Sequence, residues 1–95
     1  MCVECHSGRD DQGQIIPAER YHGGLLPAAP RWATDWPVRV PRNAGLPGYS
    51  DEQARRLLME GAIGRDGVQL KAPMPRFRMT VRDASDVIAF MRSVP

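Results

Sequence analysis

Cys2-Val3-Glu4-Cys5-His6 opens the chain, and its reading decides the rest. The run has C-x-x-C-H spacing, the attachment pattern of a covalently held haem. Two thiols that add across two vinyl groups of one porphyrin must lie on one side of a short backbone turn. Residues three apart on a helical turn share a face, so this spacing meets the requirement. His6 follows at once and directs its imidazole under the ring as the fifth ligand of the iron. The sixth position of such an iron is usually filled by Met, His, water or nothing. The same residues admit a rival reading. Cys-x-x-Cys also binds zinc or exchanges disulfides, and a zinc set would draw on Cys2, Cys5, His6 and His22. A histidine directly after the second cysteine is cramped for zinc, and the usual second ligand pair is missing. No strand-helix context supports a thioredoxin-like site.

A partner for His6 stands late in the chain, in Lys71-Ala72-Pro73-Met74-Pro75-Arg76-Phe77-Arg78-Met79. Met74 is held between two prolines, an extended and rigid setting in which a thioether can be aimed at a metal without a helix. Met79 competes for the role, and either methionine can instead be flexible core filler. His22 in His22-Gly23-Gly24 is an alternative axial or metal ligand, or else an ordinary loop histidine.

The chain has 95 residues with 13 basic and 11 acidic side chains, so it is one domain with a small core and a nearly balanced charge. That balance makes no case for nucleic acid, and no Lys/Arg block points to a membrane surface. Both cysteines lie in the motif, which leaves no disulfide framework. Nine glycines and nine prolines favour long ordered loops. No stretch is long and apolar enough to span a membrane, and no signal peptide is visible.

Beyond His6 the sequence passes through a polar, glycine-bearing turn to Ile15-Ile16-Pro17, with a single helical turn expected over Ala18 to Arg20. Residues 25 to 49 hold Pro27, Pro30, Pro37, Pro41 and Pro47, which disfavour helix and central strand. Trp32, Trp36 and Arg39 lie in this path. They offer N–H donors suited to carboxylate groups at a haem edge, or else the indoles pack as core and the arginine is solvated. Ser50-Asp51-Glu52-Gln53 reads as a helix start with a capping box, an apolar stripe of Ala54, Leu57, Leu58 and Met59, and Gly61 as its stop. A last helix spans Val81 to Ser93. Thr80 is its N-cap, Ala84, Val87, Ile88 and Met91 form its inner face, and Arg92 sits in its last turn.

Taken together, these residues resemble class I c-type cytochromes. The likeness is carried by Cys2-Val3-Glu4-Cys5-His6, Pro73-Met74-Pro75, the helix beginning at Gly48-Tyr49-Ser50, and the closing Val87-Ile88-Ala89-Phe90-Met91. It implies an all-α fold, a cytochrome c-like small helical domain with long irregular loops wrapped around one covalently attached haem c. It implies further that Cys2 and Cys5 bind the vinyl carbons, that His6 is the proximal ligand and that Met74 is the distal one. The implied role is a non-enzymatic electron carrier between redox protein partners, free or as the cytochrome domain of a larger oxidoreductase. The haem type implies a periplasmic or otherwise exported location. A haem domain with an open distal site for peroxide or a gas is the alternative, though no distal His–Arg pairing stands out. The family carries a helix ahead of the motif that crosses the last helix. Its counterpart is missing before Met1-Cys2, so the expectation is a domain over 1–95 truncated at its N-terminus, with the inner face of residues 84–91 partly exposed.

Overall fold

The computed structural model describes residues 2–26 and 29–95; Met1, Pro27 and Ala28, and with them the part assigned to Pro27 in the proline-rich path, lie outside the described residues. Helix occupies Cys2–Cys5 (α1), Asp51–Met59 (α2) and Val81–Ser93 (α3), with a 3-10 turn at Pro17–Glu19. Two short strands, Gly24–Leu25 (β1) and Arg39–Val40 (β2), pair antiparallel with Gly24 opposite Val40 and Leu25 opposite Arg39. The all-α expectation is therefore corrected: helices are few and short, and a strand pair joins two loops. The physical reason lies in the prolines. Those of residues 29–49 disfavour helix there, yet a two-residue ribbon needs few backbone donors, and Leu26 N–H extends it by donating to Val38 O at 2.7 Å.

The chain divides into two compact units, Met1–Ala44 and Gly45–Pro95. The first is built from loops tied by backbone hydrogen bonds. Arg9 and Ile15 bridge across a turn in which the Asp10 carboxylate accepts the amides of Gln12 and Gln14, both at 2.9 Å. The 3-10 turn begins one residue earlier than the expected Ala18, because proline is well placed at the first position of a helical turn.

The second unit is a helix pair. Ser50 caps α2 as its spacing requires: its hydroxyl accepts the Gln53 amide at 3.1 Å, and the Gln53 side chain accepts the Ser50 amide at 2.9 Å. Thr80 caps α3 through the Asp83 amide at 3.2 Å. Ala54 and Leu58 of α2 pack on Ala84 and Ile88 of α3, and Leu57, Phe77, Met79 and Val87 close around them. The inner face of α3 is thus not left exposed. Ala84, Ile88 and Met91 are buried and Val87 is half-buried, with Ala84 and Ile88 covered by the small and branched side chains of α2. Arg92, placed by sequence only as a favourable charge on the helix dipole, gathers the connector ahead of α2. It donates to Gly45 O, Leu46 O and Tyr49 O and pairs with Asp51 at 3.1 Å.

Candidate functional site

Cys2 and Cys5 are the first and last residues of α1, three apart on one helical turn. Both thiols are free and half-buried. Four residues cannot sustain a helix alone, because nucleation costs more than one turn returns. The surroundings hold it instead. His6 N–H closes the turn on Cys2 O at 2.8 Å. The Arg9 guanidinium donates to the outward-facing Glu4 carbonyl at 2.6 Å and to Gly13 O at 2.6 Å.

His6 is buried, with 8% of its surface exposed. Its Nδ1 lies 2.7 Å from the carbonyl oxygen of Pro41. A carbonyl can only accept, so Nδ1 carries the proton and Nε2 holds a lone pair. Nε2 has no hydrogen-bond partner among the described residues. Burial lowers the His6 pKa from its ordinary value, and the Pro41 hydrogen bond opposes that shift without overcoming it. The ring is therefore neutral at pH 7, in the form that binds a metal.

The residues after His6 are fixed as firmly. Ser7 is 1% exposed, and its hydroxyl accepts the Tyr21 amide at 3.1 Å. Gly23 N–H donates to His6 O at 2.9 Å. Three segments thus meet around His6 and Ser7: residues 6–8, residues 21–24 and residues 40–42. These contacts carry no signal in the sequence. By sequence Pro41 is a helix breaker, and a backbone carbonyl has no sequence signature.

Met74 belongs to the second unit. It is half-buried, and its amide donates to Lys71 O at 3.2 Å after a cis Ala72–Pro73 bond. Both ends of its loop are tied to the end of α2. Leu70 N–H donates to Ala62 O at 2.8 Å, Gly61 N–H to Phe77 O at 2.9 Å, and Met79 N–H to Leu58 O at 2.9 Å. Gly61 has a φ of 90°, which places it in the left-handed region at the helix stop. Met79 packs against the α2–α3 core.

The other candidates fare differently. His22 is a half-buried loop residue whose amide donates to Glu19 O at 3.1 Å. No group of three or more His, Cys, Asp or Glu among the described residues is arranged to hold a metal ion, so Cys2, Cys5, His6 and His22 do not form a zinc set. Trp32 and Trp36 meet edge to face with centroids 5.9 Å apart, and Trp32 is 76% exposed, so it is not a core residue. Arg39 is exposed on β2. No helix among the described residues is long and apolar enough to cross a membrane.

These residues fit a covalently attached haem. Two free thiols share one turn, and the adjacent neutral imidazole has one nitrogen engaged and the other open. No protein-family model, curated protein or solved structure matches the chain.

Proposed function

We propose that the protein is a single-electron carrier that holds one c-type haem. The observation that carries this reading is the hydrogen bond from His6 Nδ1 to Pro41 O, on a buried imidazole beside two free thiols. Metal-binding histidines nearly always donate their second nitrogen to a carbonyl, carboxylate or water. That bond fixes the tautomer and strengthens the ligand. A histidine buried only for packing has no need of an open Nε2.

In this reading Cys2 and Cys5 hold the porphyrin through thioether bonds, and His6 Nε2 is the proximal ligand. The group supplies a one-electron ferric/ferrous couple at a low cost in reorganisation. Pro41 orients His6 and makes it a better donor. Met74 is the distal ligand, assigned from its place in the sequence between two prolines. The engagement of Met79 with the core favours Met74 over Met79. A soft thioether favours ferrous iron and raises the potential. The ligand order resembles that of class I c-type cytochromes, and the resemblance is limited here to the ligands. Thioether formation belongs to an exported compartment, so the reading includes a periplasmic or equivalent location. Partners are redox proteins that meet the chain through small, transient interfaces.

The test is a pyridine haemochrome spectrum of the chain produced alongside haem-attachment machinery. One c-type haem per chain, resistant to acid-acetone extraction, is the expected result. Extractable haem, or zinc without iron, overturns the proposal.

A further inference from the structure

The first unit contains a tight backbone crossing at Gly23 that the haem ligands alone do not require. Gly23 lies between the carbonyl of His6 and the peptide of Pro41. Its N–H donates to His6 O at 2.9 Å. A Cβ built on it would stand 2.7 Å from Val40 O, 2.8 Å from Arg42 N and 2.9 Å from Pro41 C. Those are backbone atoms, so no change of rotamer relieves the overlap. The peptide that would be displaced carries the very oxygen that accepts from His6 Nδ1. The φ of Gly23 is 81°, in the left-handed region. Gly13 has nearly the same φ, 80°, but a Cβ there would meet nothing within 4 Å. The two positions therefore separate backbone strain from steric displacement.

We propose that Gly23 is a positioning residue for the proximal ligand: its missing side chain lets residues 40–42 approach until the Pro41 carbonyl reaches His6 Nδ1, and so sets the donor strength of the imidazole. The inference rests on the haem reading and adds the residue that tunes it. A side chain at position 23 moves the Pro41 carbonyl away from the ring. Nδ1–H then loses its acceptor and the imidazole becomes a weaker donor. Ferric iron, which needs the stronger donor, is disfavoured, and the reduction potential rises.

The experiment compares Gly23→Ala and Gly13→Ala with the parent chain, all carrying haem. Two quantities are read: the reduction potential, and solvent exchange of the His6 Nδ1 proton by NMR. In Gly23→Ala the ferric/ferrous balance is expected to move about tenfold toward ferrous, about 59 mV for one electron, with accelerated Nδ1–H exchange. Gly13→Ala should leave both unchanged. Parent-like potential and exchange in Gly23→Ala overturn the proposal, as does an equal shift in Gly13→Ala. If Gly23→Ala does not fold, the parent chain decides. Exchange of Gly23 N–H and His6 Nδ1–H through one shared opening supports the coupling, and independent exchange overturns it. The exchange measurement is also made without haem. If the parent chain takes no haem, the haem reading fails, and loss of Nδ1–H protection in Gly23→Ala, or its persistence, still decides the positioning claim.

Discussion

His6 Nδ1 and the carbonyl oxygen of Pro41 lie 2.7 Å apart across a separation of 35 residues. This contact joins the residue that follows α1 to the residue that follows β2. It explains how the imidazole that follows four helical residues is held in one orientation. The orientation of the imidazole is not inherited from α1, which is too short to impose one. It is set by residues 21–24 and 40–42, which reach His6 through its carbonyl and its ring.

His6→Ala should separate attachment from ligation. In the proposed haem reading the thiols of Cys2 and Cys5 do not depend on the imidazole for their chemistry, so haem should remain covalently bound while the low-spin spectrum is lost. Added imidazole should restore that spectrum, since the vacated position is a cavity shaped for that ring. Absorption spectra with and without imidazole provide the check. A variant that stays low-spin without imidazole would show that His6 is not a ligand.

Met74→Ala and Met79→Ala should differ in kind. Met74 lies in a loop whose ends are pinned by Leu70 and Phe77, so its removal should cost little structure; as the proposed distal ligand, it should take the weak sulfur-to-iron band with it. Met79 packs against the α2–α3 core. It is half-buried, so truncation should cost about 1–2 kcal/mol, below the range for fully buried methionine, and leave the band in place. The measurements are oxidised-state absorption and urea denaturation. The reverse pattern would transfer the ligand role to Met79.

Local signals were legible and non-local ones were not. Ser50, Gln53, Thr80 and Asp83 define helix starts through contacts three residues apart, and the structure forms those bonds. The turn that sets Cys2 and Cys5 three residues apart is local in the same way, and the structure forms it. The pairing of Gly24 with Val40 depends on a loop closing over many residues, and glycine next to proline-rich sequence gives no strand signal. That is why the all-α reading failed. Pro41 was missed because its contribution is an oxygen every residue has. Arg92 was placed by its charge, whereas its main work is directional hydrogen bonding to three carbonyls.

Arg92 supplies a prediction of its own. Its planar fork reaches Gly45 O, Leu46 O, Tyr49 O and Asp51 together. A lysine ammonium is a point charge and cannot span that set. Arg92→Ala should therefore destabilise by about 2 kcal/mol, in the range for hydrogen bonds to a charged group, and Arg92→Lys should recover less than half of the loss. Thermal unfolding followed by circular dichroism is the readout. Full recovery by lysine would mean that charge alone is what matters at this position.

Ile88→Ala tests whether the second unit depends on the α2–α3 contact. Ile88 is 6% exposed and packs with Leu58, Ala54 and Ala84. Two of its three buried neighbours are alanines, which have no further side chain to swing into a void. The cavity should therefore stay largely open, and the cost should fall at about 2–5 kcal/mol. In a domain of this size each kcal/mol lowers the melting temperature by roughly 4–8 °C, so the loss should exceed 8 °C. Val81→Ala is the matched control on the same helix. Val81 is 61% exposed, and its truncation should change stability by no more than about 0.5 kcal/mol. Urea denaturation of both variants distinguishes packing from helix propensity, because alanine is the better helix former at either position. A small effect at Ile88 would mean that the α2–α3 contact is not what holds this unit together.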